Sequence, residues 1–170
     1  MHSLVFLALP TMTLANYQFR LADSIVGDSF FSKFTWWTFN DPTHGQVNYV
    51  DMSTAMERNY SFGTLRRSSS SSENALRTFL ATGGKFFMSA NSQDVVSPGS
   101  RGRDSVRITS QNAYDDFVVV LDVQHMPEGC GTWPAFWTIS QAGPWPHGGE
   151  IDIIEGNSQI SSACSTNQVF

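Results

Sequence analysis

Ser105-Val106-Arg107-Ile108-Thr109-Ser110 and, shortly after it, Phe117-Val118-Val119-Val120-Leu121-Asp122-Val123 are apolar runs of two different rhythms. The first alternates, with Val106 and Ile108 on one side and Arg107 and Thr109 on the other, as in a strand with one solvated face. The second is almost continuously apolar, which predicts a strand covered on both faces. Together they predict stacked sheets.

Working outward, Gln46–Asp51, Lys85–Ala90, Ala135–Ile139 and Ile151–Ile154 supply further strand candidates, separated by turn-prone stretches such as Asp41-Pro42-Thr43 and Ser97-Pro98-Gly99. Helical periodicity is scarce; Asn74–Leu80 is the one short helix candidate. The expectation is an all-β fold, a sandwich of the jelly-roll kind.

The chain has 170 residues, which suits one domain. Hydrophobic residues make up 41% and charged residues 15%, too apolar for a disordered chain, and no run is long enough to span a membrane. Ten Lys and Arg against 15 Asp and Glu give a formal charge of -5, which repels phosphate backbones and anionic lipid surfaces. Neither nucleic acid nor membrane is an expected partner.

Residues 1–15 read as a secretory signal, with an apolar Leu4–Leu9 run and small residues at Thr13-Leu14-Ala15, although His2 is the only candidate positive charge at its front. A buried first strand is the other reading. Cys130 and Cys164 would suit one disulfide in an oxidising compartment, and their spacing is not that of a zinc site. Asn59-Tyr60-Ser61 is an N-glycosylation sequon, which fits export. Arg66–Ser72, a basic pair followed by five serines, reads as a surface loop. The chain ends at Asn167-Gln168-Val169-Phe170 in strand-like sequence, and an unfinished sheet would leave an open edge. Truncation of the domain at its C-terminus is therefore expected.

The chemistry concentrates in Gly148-Gly149-Glu150-Ile151-Asp152-Ile153-Ile154-Glu155-Gly156. Alternation puts Glu150 and Asp152 on one face, but plain counting puts Glu155 on the other. One β-bulge between Asp152 and Glu155 would bring all three carboxylates together, and bulges are frequent beside active sites. Carboxylates crowded in one row repel, which favours one member keeping its proton. An acid beside an ionised carboxylate is the equipment of glycoside hydrolysis, and a retaining enzyme holds the two groups about 5–5.5 Å apart. Two other readings compete. The pattern is also that of a solvated acidic face over a buried apolar one. A calcium site is the third, though one strand offers few of the six to eight ligands calcium takes.

Five tryptophans are present in the chain. Trp133 is read as core packing, whereas Trp145, between Pro144 and Pro146, is read as surface-facing. An indole face near carboxylates suits a sugar cleft, since the apolar side of a pyranose stacks on it. His125 and His147 are read as structural and enter no mechanism.

Gly131-Thr132-Trp133-Pro134-Ala135-Phe136-Trp137 followed by Gly149-Glu150-Ile151-Asp152-Ile153-Ile154-Glu155-Gly156 resembles the active-site region of glycoside hydrolase family 16, especially its fungal secreted endo-β-1,3(4)-glucanases. Fainter resemblance runs back through Ser105–Ser110 and Asp41–Val50 to Phe30-Phe31, and Arg66–Leu80 matches poorly. The resemblance implies a concanavalin A-like jelly roll with a glucan-binding concave sheet, of which residues 16–170 would be the N-terminal and central part. It also implies a retaining double displacement with Glu150 as nucleophile, Glu155 as general acid/base and Asp152 as the helper beside the nucleophile. Trp137 and Trp145 would contact substrate. The implied protein is a secreted monomer acting on β-glucan, with no cofactor and no metal. The alternative is a noncatalytic glucan-binding protein on the same fold, which would need neither Glu150 nor Glu155.

Overall fold

A computed structural model describes residues 18–63, 84–127 and 131–156. The signal reading, Arg66–Ser72, Asn74–Leu80, Cys130, Cys164 and the C-terminal stretch lie outside the described residues. Among the described residues the chain is strand-rich and has a β fold. In order it forms α1 (Ser29–Lys33), β1 (Phe34–Trp36), β2 (Val47–Tyr49), α2 (Met52–Glu57), β3 (Ser61–Phe62), β4 (Phe87–Met88), β5 (Arg103–Ser105), β6 (Ile108–Ser110), β7 (Ala135–Ile139) and β8 (Glu150–Glu155).

The alternating segment divides its hydrogen bonds between two partners. Residues 103–105 run parallel to β2, and residues 108–110 run antiparallel to β1. Between them the Val50 amide donates to the Ser105 carbonyl and the Trp37 amide to the Arg107 carbonyl. The switch changes what the side chains meet. Val106 packs with Trp36 on the buried group Val50, Ala55 and Tyr60. Arg107, expected on a wet face, is instead half-buried among aromatic rings.

Helix α2 has local causes at both ends. The Asp51 carboxylate caps its start by accepting from the Thr54 amide at 2.7 Å. At its end Tyr60 N–H donates to the Ala55 carbonyl and Asn59 N–H to the Met56 carbonyl, with Asn59 at φ 58°. This is the Schellman arrangement, in which Asn is one of the few residues other than Gly that accepts a left-handed backbone. The cap turns the chain so that Ala55 and Tyr60 enter the core.

Among the described residues the strand expected over Phe117–Val123 is not formed. The segment has no ladder partner among the described residues, and Val118 and Val120 are 65% and 88% exposed. Apolar β-branched composition favours extended backbone, but a strand requires a second chain segment for its amides and carbonyls. The isoleucines of β8 are likewise exposed rather than covered, Ile151 at 68%.

The N-terminal segment is tied to the β6 end through Asp23. Its carboxylate accepts from Tyr114 Oη at 2.6 Å, Asn112 Nδ2 at 2.8 Å and Lys33 Nζ at 3.2 Å. The Tyr114 bond first, then those from Asn112 and Lys33, lower its pKa to about 2. A depressed carboxyl pKa contributes stability above the unfolded value, near 3.9, and loses it as pH falls through the folded value. The melting midpoint is therefore expected to fall between about pH 4 and about pH 2 by more in the parent than in Asp23→Asn. Parallel melting curves across that window would remove Asp23 as the cause.

Candidate active site

Strands β7 and β8 pair antiparallel, with Ile139 opposite Glu150, Thr138 opposite Ile151, Trp137 opposite Asp152, Phe136 opposite Ile154 and Ala135 opposite Glu155. Ile153 has no opposite residue, and the register shifts between Phe136 and Trp137. Paired residues in a ladder share a face, and Ala135, Trp137 and Ile139 lie two apart along β7. Their partners Glu155, Asp152 and Glu150 therefore share that face, while Ile151 and Ile154 take the other. One unpaired residue reconciles the spacing of the acids with a single row.

The row is open. Every residue of β8 is exposed, so the carboxylates face solvent rather than a sealed interior. Two indoles contact its ends. Trp145 Nε1 donates to Glu150 Oε2 at 2.7 Å, and Trp133 Nε1 donates to Glu155 Oε1 at 3.1 Å. Trp133 is 69% exposed, which corrects its reading as core packing. Its indole N–H meets an acid on the site face, a placement that no local pattern encodes.

The loop joining the strands folds back to deliver Trp145. Ser140 N–H donates to the Gly149 carbonyl, Gly148 N–H to the Pro144 carbonyl and Gly149 N–H to the Pro146 carbonyl. Gly149 sits at φ 85°, a left-handed backbone that favours glycine. At Gly148 a Cβ would lie 2.9 Å from the Gly143 carbonyl oxygen, so the closed loop needs a residue without a side chain. Trp145 is thereby returned beside Glu150, five residues later in the chain. Its expected surface position holds, with 36% exposure, but its N–H is engaged with a carboxylate.

Trp137 occupies the acid face opposite Asp152 and is half-buried. The Arg107 guanidinium carbon lies 5.0 Å from its ring centroid, 4.7 Å from that of Trp37 and 5.7 Å from that of Tyr49. A cation shared among aromatic faces is attracted by each ring. Arg107 thus joins the β7 face to the β1 and β2 region, and the sequence reading missed it. Its only signal was a charged residue between two valine-type core positions. His125 and His147 are exposed and lie outside this arrangement. Among the described residues no group of three His, Cys, Asp or Glu is placed to hold a metal ion.

The family model described as the XgeA-like catalytic GH16 domain matches residues 34–168. The endo-1,3(4)-beta-glucanase xgeA of Emericella nidulans is 38% identical over 149 residues, covering 86% of this chain and 21% of the relative. A probable endo-1,3(4)-beta-glucanase of Aspergillus fumigatus is 38% identical over 139 residues, covering 81% of this chain and 18% of the relative. Among solved structures, Laminarinase 16A from Phanerochaete chrysosporium, with β-glucans in donor and acceptor sites, is 43% identical with a TM-score of 0.67. The match covers 83% of this chain and 41% of that one. An elongating family 16 β-1,3-glucosyltransferase is 35% identical with a TM-score of 0.66, covering 82% of this chain and 41% of its own. The chain thus spans about a fifth of the length of these curated relatives and less than half of the solved chains.

Proposed function

Because the chain belongs to glycoside hydrolase family 16, we propose that it is a glycosidase that cleaves β-1,3/1,4-glucan internally with retention of anomeric configuration. The observation that carries this reading is the open row of Glu150, Asp152 and Glu155, aligned by the unpaired Ile153 and contacted at its ends by two indole N–H groups. In the first step a Glu150 carboxylate oxygen bonds to the anomeric carbon. The glycosidic C–O bond breaks, and Glu155 passes its proton to the leaving oxygen. In the second step Glu155 takes a proton from water, whose oxygen displaces Glu150 from the sugar. Asp152, on the same face between them, orients Glu150.

Trp145 and Trp137 are the stacking residues in this reading. The fold in this reading is a jelly roll whose concave sheet carries the row. The protein acts outside the cell as a monomer, exported by residues 1–15. Among the described residues no helix is long and apolar enough to cross a membrane.

The test is incubation of the purified chain with laminarin and with mixed-linkage glucan. New reducing ends, with the β-anomer appearing first by NMR, are expected. The α-anomer appearing first would overturn the retaining mechanism, and binding without any cleavage would favour the noncatalytic alternative. Products longer than the substrate would favour transfer to sugar, the activity named for the elongating relative.

Trp133 gives a finer prediction. Its N–H occupies Oε1 of Glu155, which leaves Oε2 to carry the transferred proton. Trp133→Phe keeps a ring but loses the donor, so kcat/KM on laminari-oligosaccharides should fall about 10-fold through misorientation of the acid. A dinitrophenyl glycoside leaves without protonation, and its kcat/KM should change little. Equal losses on both substrates would assign Trp133 to packing or stacking instead.

A further inference from the structure

The sequon Asn59-Tyr60-Ser61 is unused by the hydrolytic reading, and the structure separates its three residues sharply. Asn59 is exposed at the end of α2, and no hydrogen bond to its side-chain amide is formed among the described residues. Tyr60 is 6% exposed and Ser61 only 1%. The left-handed turn accounts for the backbone at Asn59, and core packing accounts for Tyr60.

Ser61 is the residue that folding does not account for. It begins β3, opposite Met88, and its Oγ is buried without a hydrogen-bond partner among the described residues. A buried hydroxyl without a partner opposes folding, and Ala would fit the same backbone without that penalty. A hydroxyl two residues after Asn is, however, what recognition of a glycosylation acceptor requires before the chain folds.

We propose that Asn59 carries an N-linked glycan, and that the Ser61 hydroxyl is retained for that modification rather than for the folded state. In the transfer, Asn59 Nδ2 bonds to the anomeric carbon of an oligosaccharide held on a lipid pyrophosphate. The bond from that carbon to the pyrophosphate oxygen breaks, the lipid pyrophosphate leaves with the electron pair, and the amide gives up one proton. Folding then buries Tyr60 and Ser61 while the Schellman turn keeps the Asn59 side chain outside, so the sugar does not conflict with the core. This inference rests on the export part of the proposed function and is independent of catalysis.

The experiment is expression of the full chain in a yeast or filamentous-fungal host, with its own N-terminus and, in parallel, with a secretory leader of known competence. The mass is measured before and after treatment with peptide N-glycosidase. Loss of one glycan from the parent is expected. Asn59→Gln and Ser61→Ala should show no shift, and Ser61→Thr should raise occupancy. Unglycosylated Ser61→Ala made in bacteria should melt at the parent's temperature or a few degrees above it. A parent without glycan behind the competent leader overturns the proposal, as does a Ser61→Ala protein that keeps its glycan or melts well below the parent. A glycan obtained with the competent leader but not with the native N-terminus supports the site and removes the export reading. Loss of hydrolysis with the glycan intact bears on the catalytic reading alone.

Discussion

Glu150→Gln is expected to lower kcat on β-1,3-glucan by at least about 10³-fold, because the amide has no ionised oxygen to bond to the anomeric carbon. The substitution preserves shape. A Gln carbonyl oxygen can still accept from Trp145 Nε1, which donates to Glu150 Oε2 at 2.7 Å, so the loop that returns over β8 keeps its anchor. Affinity for laminari-oligosaccharides, followed by tryptophan fluorescence, should change by no more than about 2-fold, since an uncharged isostere removes chemistry rather than stacking area. Turnover equal to the parent would exclude Glu150 as the nucleophile. Loss of both binding and turnover would instead point to collapse of the β7–β8 face.

An insertion and a deletion around the unpaired residue should have opposite consequences. Ala inserted between Ile154 and Glu155 takes the position opposite Ala135 and turns Glu155 to the far face of β8, because side chains alternate along a strand. The expected loss on glucan is about 10²–10⁴-fold, the range supplied by a general acid/base. Deleting Ile153 removes the residue that has no opposite partner, and plain alternation then returns Glu155 to the face of Asp152. The deletion variant should therefore keep far more activity than the insertion variant, although it is altered at the same place. An insertion variant as active as the deletion variant would show that the row is not what performs the reaction.

The acid row was legible because its spacing carries the information: Glu150 and Asp152 are two apart, and a single extra residue before Glu155 is the smallest change that unites them. The observed register contains that residue at Ile153. Strands β7 and β8 were also legible, since each reads as a short apolar run bounded by Gly and Pro. Phe117–Val123 was also a short apolar run, yet it has no ladder partner among the described residues. Local preference selects extended backbone, whereas pairing depends on a segment distant in sequence. Trp133 and Arg107 were misread for a related reason. Each was assigned from its immediate neighbours, yet Trp133 meets an acid 22 residues away, and Arg107 meets rings on three other segments.

By itself, then, the sequence determined a β fold and the spacing by which one extra residue brings Glu150, Asp152 and Glu155 onto one face, because alternation is a property of neighbouring residues, while the family was legible in the resemblance of two whole motifs. The tertiary structure alone decided which indoles reach those acids, where the Arg107 charge is held, and that Ser61 is buried while Asn59 beside it is not. Those outcomes depend on which distant segments meet, and long-range contact is set by packing of the whole chain rather than by any short pattern within it.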